Sequence, residues 1–316
     1  MRRLLLVLGA GLCGWSVSMA HAQTAWILRD EDNPDLPGRR VEILHDNQHV
    51  ARFIYGDGQM KPFLHVFGAE GELLTNGGLN EDGRTTGAFP HHRGIFIGWR
   101  IRSELGNYDL WHMNNGGRME VLAIESLEPR ADAAQLTARI AWRSGSKDES
   151  GSDLLLTETR RLTFRRTSSG ATRVDARFTL EAARELRLAG DLQHAGVHFR
   201  AANEVHERRG ETAYLTAPAG STEGDNLQWC RLLFPIGDRW YSCQQMNAPS
   251  NPVEELSTRN YGRFGYFFRR ALEPGEPLQL DYRFLIEPAS PPDSASEAAD
   301  RARCDQRYQE FVRSLR

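Results

Sequence analysis

The sequence predicts an all-β fold: a large single-domain antiparallel β-sandwich with a short C-terminal helix. Three observations lead there. Short runs of β-branched, aromatic and aliphatic residues recur along the chain, each bounded by Gly, Asn, Asp or Pro. No stretch before residue 294 keeps the 3.6-residue apolar period of an amphipathic helix. No fixed-period repeat, low-complexity tract or sharp linker divides residues 23–316, which are read as one domain.

The N-terminus is set apart. Met1-Arg2-Arg3 is a positive n-region, residues 4–14 form an apolar run, and Ala20-His21-Ala22 is a small-residue cleavage signal. Residues 1–22 are therefore expected to be a signal peptide and the protein to be periplasmic or secreted. No later segment reaches the roughly 18–20 apolar residues of a membrane span, so no membrane insertion is expected. A net charge of −3 and the lack of any Lys/Arg block beside aromatic clusters exclude nucleic acid as a partner. Cys13 leaves with the signal peptide, and Cys230, Cys243 and Cys304 form no C-x-x-C motif. A Cys230–Cys243 disulfide fits an oxidising compartment.

In chain order, runs at 41–44, 50–55 and 63–67 read as hairpin strands, separated by turn signals at Asp46-Asn47, Gly56-Asp57-Gly58 and Gly68–Gly71. A glycine-rich loop over 75–90 is long for a connection, and long ordered loops tend to carry function. Residues 95–101 read as one buried strand. Asn114-Asn115-Gly116-Gly117 is a turn, and strands follow at 118–126, 135–143, 154–164, 172–180 and 185–190. Further strands are expected at 240–245, 262–269 and 278–286. Only 294–315 carries a helical stripe, through Ala298, Ala302, Tyr308, Phe311 and Leu315.

Polar chemistry concentrates in three places. Pro90-His91-His92-Arg93-Gly94 combines two imidazoles and a guanidinium after the glycine-rich loop. Buried donors of this kind are costly to desolvate without partners, which points to a site. Neighbouring side chains on extended backbone face opposite ways, so one histidine enters the site while the other packs. In Asp109-Leu110-Trp111-His112, the tryptophan is a candidate stacking platform for a sugar ring and His112 a third imidazole. If 193–200 is a strand, His194, Gly196, His198 and Arg200 share one face, with Ala195, Val197 and Phe199 behind. His194 and His198 would then lie roughly 13 Å apart, too far to share a metal without a bend. Glu104 and Asp109 are the carboxylates nearest the first two clusters, with Glu158 and Asp191 further off. The two-proline loop 246–252, including Asn251, is placed to close one side of a cleft. No G-x-S-x-G, H-E-x-x-H, Walker or dinucleotide motif is present, which argues against serine hydrolases, zincins, NTPases and dinucleotide enzymes.

On Pro90-His91-His92-Arg93-Gly94, Asp109-Leu110-Trp111-His112, His194 through Arg200, Pro249-Ser250-Asn251-Pro252 and Tyr261-Gly262-Arg263-Phe264-Gly265, the chain resembles an uncharacterised exported bacterial family labelled "methane oxygenase". The resemblance covers nearly all of residues 23–316 and implies a super-sandwich similar to galactose mutarotases and polysaccharide lyases, folds that carry sugar chemistry on a concave sheet face. The missing membrane span separates the chain from membrane-bound methane-oxidising subunits.

The expected function is therefore acid–base chemistry at a sugar ring by an exported epimerase, lyase or glycoside hydrolase acting on a small-molecule or oligosaccharide substrate. His91, His92, His112 and His194 are the candidate catalytic residues, and Arg93, Trp111, His198, Arg200 and Asn251 the candidate substrate-binding ones. No cofactor is required by this reading. A divalent metal enters only if the fold brings histidines from different clusters together. The other classes considered are a non-catalytic sugar-binding or envelope protein and a histidine-ligated metal enzyme.

Overall fold

A computed structural model describes residues 25–35, 37–77, 88–167, 169–191, 193–217, 227–252 and 255–316. The expected signal peptide and the middle of the 75–90 loop lie outside the described residues. The described residues form two eight-stranded sheets and one four-stranded sheet, with every strand pair among them antiparallel. The first sheet runs, edge to edge, through Trp26–Asp32, Arg39–His45, Gln48–Tyr55, Phe63–Val66, Ile95–Gly98, Gly196–Arg200, Arg263–Phe267 and Glu255–Arg259. The second runs through Ala213–Thr216, Trp229–Ile236, Arg239–Asn247, Pro277–Ala289, Thr172–Ala182, Leu154–Arg166, Ala134–Arg143 and Arg118–Pro129. The short sheet consists of Arg270–Leu272, Leu186–Ala189, Arg100–Ser103 and Gly106–Asp109.

Period-two alternation explains the layering. Val41, Phe53, Val66, Ile97, Val197 and Phe199 of the first sheet share one buried apolar cluster with Leu136, Ile140, Phe164, Phe178, Leu232 and Phe284 of the second. The Glu297–Ser314 helix packs Cys304, Tyr308 and Phe311 onto Trp229 and Met246, which belong to a separate cluster. The Asp46-Asn47 turn signal has its expected cause: both residues sit at positive φ, +52° and +63°, as a tight two-residue hairpin requires.

Three expectations are corrected. Residues 95–101 are two strands in two sheets, not one. A Cβ on Gly98 would come 2.6 Å from the Leu110 carbonyl oxygen, so glycine lets the 110 turn lie against the strand end. The chain then turns at buried Trp99, whose indole N–H donates to the Phe268 carbonyl at 3.0 Å. His194 is not in a strand: the strand begins at Gly196, and the His194 amide donates to the Asp191 carbonyl ahead of it. The Cys230–Cys243 disulfide is not formed. Cys230 lies opposite Gln245 and Cys243 opposite Leu232, a diagonal placement, and all three described cysteines are buried free thiols.

Candidate functional site

The outer face of the first sheet carries the site. Phe63, His65, Phe96, His198, Arg200 and Arg263 alternate away from the core, and the 88–94 loop and the 109–114 turn lie over them. Gly94 fixes the loop: it has φ +53°, and a Cβ there would stand 2.1 Å from the Leu64 carbonyl oxygen. Two bulky residues beside the histidines, Phe89 and Met113, also occupy the left-handed region at φ +60° and +65°. Such strain persists only where the surroundings enforce it, and it clusters at functional sites.

Four imidazoles form a row. Ring centroids are 4.1 Å apart for His92 and His91, 4.4 Å for His91 and His112, and 4.7 Å for His112 and His194. The last two are held by the same device. His112 Nδ1 donates to Asp109 Oδ2 at 2.7 Å, while Asp109 Oδ1 accepts the amides of Trp111 and His112 at 3.0 and 2.9 Å. His194 Nδ1 lies 2.9 Å from Asp191 Oδ1, which also accepts the Gln193 amide at 2.8 Å. Arg100 stands 3.6 Å from both Asp109 and Asp191 and ties the two pairs together.

The electrostatics follow from these contacts. Burial pushes the Asp109 carboxyl upward, but hydrogen bonds from the His112 ring and amides outweigh it and hold the group well below the usual carboxylate range. Burial likewise opposes ionisation of Asp191, and the His194 contact and Gln193 amide bring its pKa down. An ionised carboxylate only accepts hydrogen bonds. The carboxylates therefore fix a hydrogen on Nδ1 of His112 and of His194 and turn the Nε2 of each ring away from its aspartate. His91 is pushed down to about 3, first by burial, then by Lys61, His112 and His194, and is neutral near pH 7. His92 is also pushed well down by burial. It is 3% exposed, is enclosed by Phe89, Phe96, Trp111 and Tyr261, and among the described residues has no hydrogen-bond partner on either ring nitrogen. A buried imidazole with both nitrogens free calls for a functional explanation.

A cleft of about 310 Å³ opens beside the row, lined by Lys61, Pro90, His91, Arg93, His112 and Asn114 among others. Arg93 donates to Gln59 Oε1 at 2.8 Å and to the Pro90 carbonyl at 3.0 Å. Lys61 was not among the residues singled out from the sequence. It is buried, donates to the Trp111 carbonyl at 2.6 Å and sits 4.5 Å from the Phe96 ring centroid. Burial, then the Arg93 charge, pushes its pKa well down. A compositional signal was available: only two of the 39 Lys and Arg residues are lysines, Lys61 and Lys147.

The remaining candidates lie elsewhere. Trp111 is fully buried against Phe96, His92 and His198, so it backs the site and presents no face to a ligand in the cleft. The exposed ring beside the histidines is Phe89, 39% exposed and stacked on Tyr261 at 4.4 Å. His198 is fully buried: its Nε2–H donates to the Ala195 carbonyl at 2.8 Å and its Nδ1 accepts from Arg263 at 3.0 Å. Arg200 is likewise buried and donates to the carbonyls of Ala201 and Tyr261. Its pKa is pushed down to about 10 by burial. Asn251 is consumed by Asn247 and by the backbone of Asp281. The structure thus corrects the substrate-contact roles of Trp111, His198, Arg200 and Asn251 for one physical reason: each is buried in packing or hydrogen bonds of the fold. The convergence of His112 with His194 had a legible cause, because Asp-Leu-x-His occurs at both 109–112 and 191–194. Among the described residues, no group of three or more His, Cys, Asp or Glu is placed to hold a metal ion.

Fold and site together define an all-β sandwich protein with a histidine-lined cleft on the outer face of one sheet. The chain belongs to the family of unknown function DUF6807, whose model matches residues 40–302. Nothing in that match attaches methane oxygenation to it. No curated protein matches the sequence. Among solved structures, the chain is similar to a glycoside hydrolase family 97 enzyme from Pseudoalteromonas sp. strain K8, with TM-score 0.43 and 11% identity over 83% of this chain and 35% of that one. It is similar to galactose 1-epimerase from Lactobacillus acidophilus NCFM, with TM-score 0.40 and 8% identity over 84% of this chain and 99% of that one. It is also similar to a heparan sulfate lyase HepC mutant from Pedobacter heparinus, with TM-score 0.37 and 12% identity over 81% and 34%. The chain spans about a third of the length of the glycoside hydrolase and of the lyase.

Proposed function

We propose that the protein is an exported carbohydrate-active enzyme that moves a proton at a sugar ring. The observation that carries this is the pair of Asp-oriented imidazoles, His112 and His194, with ring centroids 4.7 Å apart beside neutral His91. A fixed tautomer with a free Nε2 is what general base catalysis needs, and the supporting aspartate stabilises the imidazolium that forms. In this reading His112 Nε2 removes the proton and becomes an imidazolium, and that same proton passes to His194, 4.7 Å away between ring centroids, which returns it to the sugar, so both imidazoles end neutral. His91 hydrogen-bonds a ring oxygen, Arg93 anchors a hydroxyl or carboxylate, and Phe89 with Tyr261 offers the apolar platform. Described carboxylates near the cleft are engaged by histidines, and the cleft lining contains none. This favours epimerisation or elimination over a two-carboxylate displacement at a glycosidic bond.

The test incubates the full chain with neutral and acidic saccharides and follows anomer ratios, new epimers and unsaturated products. Product formation is expected in the wild type and is lost in His91→Ala and His112→Ala, with melting midpoints within a few degrees of it. Saccharide binding with no product from any substrate would make this a binding protein, and unchanged turnover in both variants would remove the histidine row from the chemistry.

A further inference from the structure

The short sheet has a second cleft, of about 520 Å³, that the proton-transfer reading does not use. Alternation sends Ile101, Tyr108, Leu186, Leu188 and Leu272 into the core and turns Arg100, Arg102, Arg187, Asn107 and Asp109 to the opposite face. Register sets Arg102 directly opposite Arg187. Like charges in that position repel across the strands. Many arginines elsewhere meet carboxylates, as exposed Arg39 does with Asp30 and half-buried Arg143 with Glu120. Among the described residues Arg102 and Arg187 have no acidic partner. Arg269, itself 3.2 Å from Glu255, lines the same cleft with Arg100, so the lining carries four guanidiniums and one carboxylate, Asp109, on a chain whose net charge is −3. That carboxylate is the one that orients His112.

We propose that this cleft binds an oxyanion of the substrate, a carboxylate or sulfate on an acidic saccharide. Arg102 and Arg187 clasp it while the adjoining sugar ring reaches His112 and His194. The proposal rests on the reading of the histidine row as the reacting site. Opposed planar guanidiniums suit bidentate contact with an oxyanion, and a concave basic wall focuses the field onto it. The repulsion between Arg102 and Arg187 is relieved when the anion enters.

The experiment is calorimetric titration of the full chain with oligogalacturonate, a chondroitin sulfate oligosaccharide, a neutral galacto-oligosaccharide and sodium sulfate. One anionic oligosaccharide is expected to bind at least roughly tenfold more tightly than the neutral one, with affinity falling as salt rises. Arg102→Gln/Arg187→Gln removes that preference and melts no lower than the wild type, since both side chains are exposed and repel. His112→Ala keeps the preference and loses turnover. Equal binding of neutral and both anionic saccharides, or a preference that survives the double Gln change, overturns the proposal. So does sulfate bound as tightly as the saccharides, which marks an adventitious ion only. A preference lost in the double variant, with turnover retained in His112→Ala, upholds the anion cleft and rejects the histidine reading.

Discussion

Asp109→Asn is the sharpest perturbation of the site, because it keeps size and removes only charge and one acceptor. Asp109 accepts three hydrogen bonds, from the His112 ring at 2.7 Å and from the amides of Trp111 and His112 at 3.0 and 2.9 Å. Asparagine offers one carbonyl oxygen. If that oxygen stays on the two amides, its NH₂ faces the ring, which must present a lone pair at Nδ1 and carry its proton on Nε2. If the amide flips, the ring keeps its proton but both backbone amides face NH₂. The first arrangement makes three hydrogen bonds and the flipped one makes one, a difference of two worth about 2 kcal/mol, or roughly a thirtyfold population in its favour. His112 in the variant therefore shows mainly the Nε2–H tautomer and is no base, and kcat/KM falls by roughly 10²–10⁴. Weakening the two amide contacts from charged to neutral costs roughly 2 kcal/mol of stability. The assay is ¹⁵N NMR of the imidazole nitrogens, alongside turnover and melting. An unchanged Nδ1–H tautomer, or kcat/KM within about threefold of wild type, refutes the reasoning.

Other consequences are equally concrete. Gly94→Ala places a Cβ against the Leu64 carbonyl oxygen and an alanine at φ +53°, so it lowers stability by roughly 2 kcal/mol or more, read as a fall in melting midpoint. His91, with its folded pKa near 3 and an unfolded value near 6.5, gives stability that is present above pH 6.5 and lost as pH falls toward 3, because the unfolded chain binds the extra proton. His91→Gln therefore makes the decline of the melting midpoint across that window shallower. Phe89→Ala removes an exposed ring that packs on Tyr261; saccharide affinity drops roughly tenfold while the melting midpoint moves little, both readable by calorimetry.

Much of the fold was legible because strand alternation and turn chemistry are local. Val197 and Phe199 face the core and His198 and Arg200 the other way, as period two requires, and the Asp46-Asn47 hairpin follows from its φ values. What local patterns could not give was which polar face is covered. His198 falls under Trp111 and Arg200 under Tyr261, contacts between residues far apart in sequence. The same distance hid the split at Trp99, whose partner is the Phe268 carbonyl. The histidine row was half visible: its members carried chemistry in the sequence, but the meeting of His112 with His194 is a property of the fold. Lys61 left no local pattern, only its rarity beside so many arginines.

The central claim, that His112 and His194 exchange a proton with a sugar ring, is tested most directly by solvent isotope incorporation. With an acidic saccharide incubated in D₂O, ¹H NMR is predicted to show with wild-type protein either deuterium at a ring carbon, for epimerisation, or loss of a ring C–H signal with a new vinylic signal, for elimination, and neither with His112→Gln. Exchange that persists in both His112→Gln and His194→Gln would contradict it.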